Sequence, residues 1–427
     1  MLDTEKDNRK LVERAVLIGI CETREEEPEI REHLDELEEL AANLYIPVVK
    51  KITVHLKTPQ PKYLLGSGKA EEIFEEIKEL EADCLIFDHD LMPSQQRNWE
   101  RLTKICVIDR QEVILDIFAQ RASTREAVLQ VELARMRYSL PRLTRAWTHL
   151  SRQRGGNKGT RGEGEKQIEV DRRLVQQRIS SLQKELVTVR RHRDTQRKSR
   201  DRNEIPHAAI VGYTNAGKSS LLNYLTGADV LAEDKLFATL DPTTRKLDLP
   251  DKQSVLLTDT VGFVRKLPHS LVEAFKSTLE EAVLADFLLL ILDISSGHVD
   301  EHWETTLSVL NELGADDKRI ITVFNKMDLQ KDPVVLARIR SLFPDAIFIS
   351  TVTGEGVESL LKAIMRMAHR NVNVMQLLIP PQRHDIVALA HARTRVLESE
   401  YDDMGNLRLT AVVPETIYSK FSDFIAN

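Results

Sequence analysis

The string Gly212-Tyr213-Thr214-Asn215-Ala216-Gly217-Lys218-Ser219 follows the apolar run AAIV and precedes SSLLNYL, which places it at a strand-to-helix turn. At such a turn, successive backbone N–H groups converge at the positive end of a helix, where they hold phosphate oxygens. Glycine lets the backbone approach the anion. Lys218 supplies a point charge to the β and γ phosphates, and the Ser219 hydroxyl is a ligand for Mg²⁺.

Three further loops supply what such a turn needs. Asp259-Thr260-Val261-Gly262 closes the strand VLLTDT: its carboxylate can hold a magnesium-bound water, and the Gly262 N–H can sense a γ-phosphate. Asn325-Lys326-Met327-Asp328 ends IITVFNK. The Asp328 carboxylate can accept from the ring N–H and the exocyclic amine of guanine, whereas adenine would leave it buried and unpaired, so GTP is favoured over ATP. Ser350-Thr351-Val352 follows AIFI, where a backbone N–H meets guanine O6. Alanine is more usual than Thr351 there, but a backbone contact tolerates the change. Between the first two loops, Leu236-Phe237-Ala238-Thr239-Leu240-Asp241-Pro242-Thr243-Thr244 must supply the threonine that closes over the γ-phosphate and Mg²⁺, and the residues alone do not choose among Thr239, Thr243 and Thr244.

The elements that carry these loops read as alternating strands and helices over 203–372, with HAAIVG, VLLTDT, LLLILDI and RIITVFNK as core strands. An earlier α/β domain is predicted over 1–110: RAVLIGI, a helix with leucines at 34, 37, 40 and 44, VVKKITVHL, a helix from Lys69, DCLIFD and KICVID. Within it, Gly66-Ser67-Gly68-Lys69 could hold a phosphate at a helix start, but the missing loop spacing favours a plain turn. Over 111–202 a heptad seam runs through Leu129, Leu133, Met136, Leu140, Leu143, Trp147 and Leu150, interrupted at Pro141, and a second runs through Ile168, Val175, Ile179, Leu182, Leu186 and Val189. Two such seams predict an antiparallel helical hairpin with arms of about 35 to 40 Å. Its tip, 151–166, interleaves glycines with Arg152, Arg154, Lys158, Arg161 and Lys166, a flexible basic loop suited to RNA phosphates. Residues 373–427 read as strand, helix, two strands joined at Gly405, and helix. The fold class is therefore multidomain α/β.

Length and charge agree with this division. A chain of 427 residues exceeds one typical domain, and 42% hydrophobic with 30% charged residues excludes a wholly disordered chain. The longest apolar runs, such as Phe287–Leu292, are far short of a membrane span, and the acidic start MLDTEKDNRK carries no signal-peptide pattern. A soluble, cytoplasmic monomer is expected. Net charge is -7, yet residues 1–40 balance to -8 and residues 121–200 to +13, so an acidic protein has a basic middle that fits a polyanion. Cys21, Cys84 and Cys106 have neither zinc-ligand nor disulfide spacing and read as small core residues.

The four loops, in this order and on these strands, resemble the translation-factor-related GTPases. FATLDPTT together with a Gly-rich basic hairpin ahead of the GTPase domain is similar to the HflX family over nearly the whole chain. That resemblance implies that Thr239 is the switch threonine on Mg²⁺ and that the protein binds the large ribosomal subunit, its hairpin reaching the rRNA near the peptidyl-transferase centre. It further implies the splitting of stalled or idle ribosomes, notably under heat stress. Phe263 stands where many GTPases carry the glutamine that orients water, so slow intrinsic hydrolysis and stimulation by a partner are expected. The competing reading is an RNA-binding protein or RNA chaperone whose affinity is regulated by guanine nucleotide. A membrane-remodelling GTPase is disfavoured because no anchor or lipidation motif is present.

Overall fold

In the computed structural model, residues 12–143, 161–200, 205–227, 236–237, 239–250, 253–265, 280–368, 372–402, 404–414 and 417–426 are described. The chain divides into two compact units. One takes in residues 1–191 with the short segment Glu233–Asp241, and the other takes in 192–232, 242–265 and 279–427.

The first unit is built on a parallel sheet of β1 (Ala15–Cys21), β2 (Val48–His55), β3 (Cys84–Phe87) and β4 (Cys106–Asp109) in the order β2-β1-β3-β4. β1 and β3 are buried at every position, as the apolar runs AVLIGIC and CLIF require of central parallel strands. Helix α1 (Glu27–Asn43) buries Leu34, Leu37 and Leu40, three of the leucines that predict it. Helix α2 (Ser67–Glu79) starts after Gly66, and Lys69 is paired with Glu72 at 2.6 Å, an ordinary exposed i,i+3 contact. Cys21 and Cys84 are buried as expected, and Cys106 departs from expectation. Cys84 and Cys106 are register partners on adjacent strands, and Cys106 is exposed.

Helix α3 (Pro93–Thr103) lies between β3 and β4, helices α4 (Arg110–Arg121) and α5 (Arg125–Ser139) follow β4, and the Leu140–Leu143 turn is a 3₁₀ helix, the break that Pro141 imposes. Up to this break the first arm is α5, 15 residues and about 22 Å long. Trp147, Leu150 and the tip residues Arg152, Arg154 and Lys158 lie outside the described residues. The second arm, α6 (Arg161–Arg200), spans 40 residues and begins inside the expected loop, so the backbone at Arg161 and Lys166 is helical. Leu129 and Leu133 of one arm pack with Leu182 and Leu186 of the other, and Arg178 clasps Glu132 at 2.8 and 2.9 Å.

The base of α5 is held by a buried polar cluster. The Arg142 guanidinium donates to Asp109 (3.1 Å), Gln96 (3.0 Å) and the Leu91 carbonyl (2.9 Å). The Tyr138 hydroxyl lies 2.9 Å from Asp109 and 3.1 Å from Glu112. The Tyr138 hydroxyl is the donor in both contacts and divides its one proton between the two carboxylates. Burial first, then the charges of Asp109 and Asp116, push the Glu112 carboxyl up to about 7 against the opposing pull of Tyr138 and Arg142. An acid raised in the folded state stabilises fully below its ordinary value near 4.5 and loses that contribution as pH rises through about 7. The melting temperature should fall across this window, and Glu112→Gln should remove that fall. Parallel pH-melting curves for the two proteins would refute the assignment.

The second unit carries a six-stranded sheet in the order β10-β9-β8-β5-β7-β6. Its members are β5 (His207–Gly212), β6 (Thr243–Asp248), β7 (Ser254–Asp259), β8 (Phe287–Asp293), β9 (Arg319–Asn325) and β10 (Ile347–Phe348). All pairings are parallel except β6 with β7. Five parallel strands put their C-terminal ends, and the loops that follow, along one edge of the sheet, where ligands of open α/β folds bind. A separate antiparallel sheet, β11 (Val372–Ile379), β13 (Leu407–Pro414) and β12 (Arg395–Tyr401), closes over its own core of Leu377, Ile379, Leu409 and Phe421. Among the described residues no helix is long and apolar enough to cross a membrane.

Candidate functional site

Strand β5 ends at Gly212 and helix α7 (Lys218–Thr226) begins at Lys218, so the loop 212–219 bridges strand and helix. Gly217 has φ +91°, and a Cβ there would lie 2.2 Å from the Asn325 amide nitrogen, so only glycine fits. Asn325 is the clasp: its Nδ2 donates to the Ala216 carbonyl (3.0 Å), and its Oδ1 accepts from the Thr351 N–H (3.2 Å). One buried side chain thus joins three of the loops.

Lys218 is buried, donates to the Tyr213 carbonyl (2.7 Å), and is pushed down to about 8 by burial, which the Asp259 charge partly opposes. A buried ammonium held this far below its ordinary value is one whose charge an incoming polyanion would restore. The Ser219 hydroxyl donates to Asp259 Oδ2 at 2.6 Å. Asp259 ends β7 beside β5 and is fully buried, so a hydroxyl and a carboxylate, both hard oxygen donors, stand together at the loop. That donor set fits Mg²⁺. The Thr214 hydroxyl is also buried and has no hydrogen-bond partner among the described residues. Thr260 is anchored by its hydroxyl to the Ile210 carbonyl (2.7 Å), and Val261 is buried.

At the far end of the edge, Asp328 Oδ1 accepts from the Ser350 hydroxyl (2.6 Å), and Ser350 Oγ in turn accepts from the N–H groups of Val352 (3.2 Å) and Thr353 (3.1 Å). The Met327 N–H bonds to the Ile349 carbonyl, which fixes the spacing of the two loops. Lys326 pairs with Asp293 at 2.7 Å. Asp293 ends β8 in the run LLLILD and was not singled out in the sequence, although an acid closing an otherwise apolar strand is a visible signal.

The segment before β6 belongs to the first unit. There Leu236, Phe237 and Leu240 are buried, Phe237 (φ +58°) meets Phe118 edge-on at 4.7 Å, and Asn43 donates to the Leu236 carbonyl. The Asp241 carboxylate accepts from the N–H and hydroxyl groups of Ser123 and Thr124 at the start of α5. Burial alone would raise Asp241, but these bonds hold it below the usual carboxylate range. Thr239 is half-buried in the same segment, Ala238 lies outside the described residues, and Thr243 and Thr244 open β6.

A parallel sheet whose edge carries a GxxxxGKS strand-to-helix turn, an Asp-x-x-Gly loop and an Asn-Lys-x-Asp loop defines the class of phosphate-loop GTPases. Residues 31–119 match a family model described as GTP-binding GTPase N-terminal, residues 121–200 one described as GTP-binding GTPase Middle Region, and residues 207–326 one described as 50S ribosome-binding GTPase. The GTPase HflX of Akkermansia muciniphila is 52% identical, with 99% of both chains covered, and that of Escherichia coli is 42% identical, with 94% of both covered. A GTP-binding protein of Sulfolobus solfataricus, solved in complex with GDP, is 27% identical over 83% of this chain and 98% of its own, with a TM-score of 0.43. The chain belongs to the HflX family of GTPases.

Proposed function

We propose that this GTPase depends on Mg²⁺, binds the large ribosomal subunit, and dissociates stalled or idle ribosomes, which in turn stimulate its hydrolysis. The match of residues 207–326 to the 50S ribosome-binding family carries the ribosomal part, and the basic balance of residues 121–200 supports it. In this reading the amides of 212–219 and Lys218 hold the phosphates, Asp328 reads guanine, and the Thr351 region faces its O6. Ser219 and Thr239 would hold Mg²⁺, which supplies charge neutralisation across the β and γ phosphates.

Phe263 is buried and cannot orient water, so chain residues stabilise charge but leave the attacking water unplaced until a partner supplies a group. Purified large subunits should therefore stimulate hydrolysis well beyond what free RNA of equal charge achieves. Equal stimulation by both would favour an RNA chaperone regulated by nucleotide, and stimulation by neither would remove the ribosomal partner.

A further inference from the structure

The residues after Asp259 do not leave the sheet. Phe263 forms a parallel bridge with Tyr213: its N–H donates to the Gly212 carbonyl (3.0 Å), and its carbonyl accepts from the Thr214 N–H (2.7 Å). Gly262 is pressed against the same loop, since a Cβ there would meet Thr214 Cα at 2.8 Å and Lys218 Nζ at 2.9 Å. Two residues beyond Phe263, the Arg265 N–H donates to the Tyr213 hydroxyl at 2.8 Å. The Tyr213 ring is buried and stacked on His302, with centroids 3.8 Å apart and planes 15° off parallel, so its hydroxyl is a fixed acceptor.

Resting on the reading that loop 212–219 holds the phosphates, we propose that Tyr213 is a specificity-determining residue that latches the 262–265 segment across the loop and sets the preference for GDP over GTP. The Thr214 N–H sits in the half of the loop nearest Gly262, and it is already taken by a carbonyl. A peptide carbonyl presents the negative end of its dipole where a terminal phosphate would bring negative charge, so the two exclude each other. A diphosphate, seated on the amides from Ala216 to Ser219 at the start of α7, needs no such displacement. GTP must therefore lift Gly262 and Phe263 off the loop, and the Tyr213 to Arg265 hydrogen bond adds to the cost of lifting.

Tyr213→Phe keeps the ring and its stack on His302 and removes only the acceptor. In the full chain the ratio of the affinity for a non-hydrolysable GTP analogue to that for GDP should rise about 5-fold, the worth of one neutral hydrogen bond. Hydrogen exchange gives a second measurement without a mutation: the Phe263 and Arg265 amides should be protected with GDP and lose protection with the GTP analogue. An unchanged ratio of the two affinities, or equal shifts in both, overturns the latch, as does full protection in the presence of the analogue. Wild-type protein that binds neither nucleotide overturns the phosphate-loop reading itself, which is a distinguishable result.

Discussion

Asp328→Asn should weaken GTP binding on the order of 100-fold or more and admit xanthosine triphosphate in its place. The side chain loses one acceptor, and each hydrogen bond to a charged group is worth about 1.5–3 kcal/mol. The structure makes the exchange clean. Asp328 Oδ1 accepts from Ser350, and an asparagine oxygen can keep that bond, so the Ser350–Thr353 loop retains its anchor. What changes is the second atom: a donor now faces the exocyclic amine of guanine, itself a donor, whereas the 2-oxo group of xanthine accepts from it. ATP should remain a poor ligand of both proteins. Nucleotide titrations that give the variant wild-type GTP affinity would rule out Asp328 as the base reader, and an unchanged melting temperature would show that folding is not the cause.

Loops set by spacing were legible in the sequence because each is fixed by a few residue types at the end of an apolar strand. The run HAAIVG could only be a buried strand, and GxxxxGKS after it could only be the turn into α7. Three features were hidden for physical reasons. Helix Pro93–Thr103 has a strongly polar sequence, PSQQRNWERLT, and buries Gln95, Trp99 and Thr103, so it shows no apolar stripe. Cys84 and Cys106 are 22 positions apart and meet only because β3 pairs with β4, a long-range fact that no local pattern encodes. The Asp241 carboxylate stands in FATLDPTT, the segment expected to close over the γ-phosphate, yet it holds the start of α5 through Ser123 and Thr124, more than a hundred residues earlier. A short carboxylate can accept from its own loop or from a distant helix start, and tertiary contact decides. The interruption at Pro141 was legible too, because a proline inside a heptad run removes a helix hydrogen bond, and the backbone turns to 3₁₀ at Leu140–Leu143.

Replacing Arg152, Arg154, Lys158, Arg161 and Lys166 together with alanine should leave intrinsic GTP hydrolysis near normal and abolish ribosome dissociation. Alanine at Arg161 and Lys166 suits the helical backbone there, and neither arm's packed seam of Leu129, Leu133, Leu182 and Leu186 includes any of the five. Folding should change little. Each cation that meets a phosphate releases counterions, and its loss flattens the slope of log K against log salt by about 0.7–0.9. Several such losses weaken binding to an RNA particle by orders of magnitude at physiological salt. If binding by the tip also orders the catalytic loops, stimulated turnover falls with it, while the unstimulated rate does not. A companion variant with Arg152, Arg154 and Arg161 changed to lysine keeps every charge but loses the planar guanidinium forks. Binding retained there would assign the tip to charge alone, and binding lost there would assign it to bidentate or stacked contacts with rRNA. Light scattering that shows wild-type dissociation of ribosomes by the five-alanine protein would leave the basic block as a solvated surface and move the ribosome-engaging surface elsewhere on the chain.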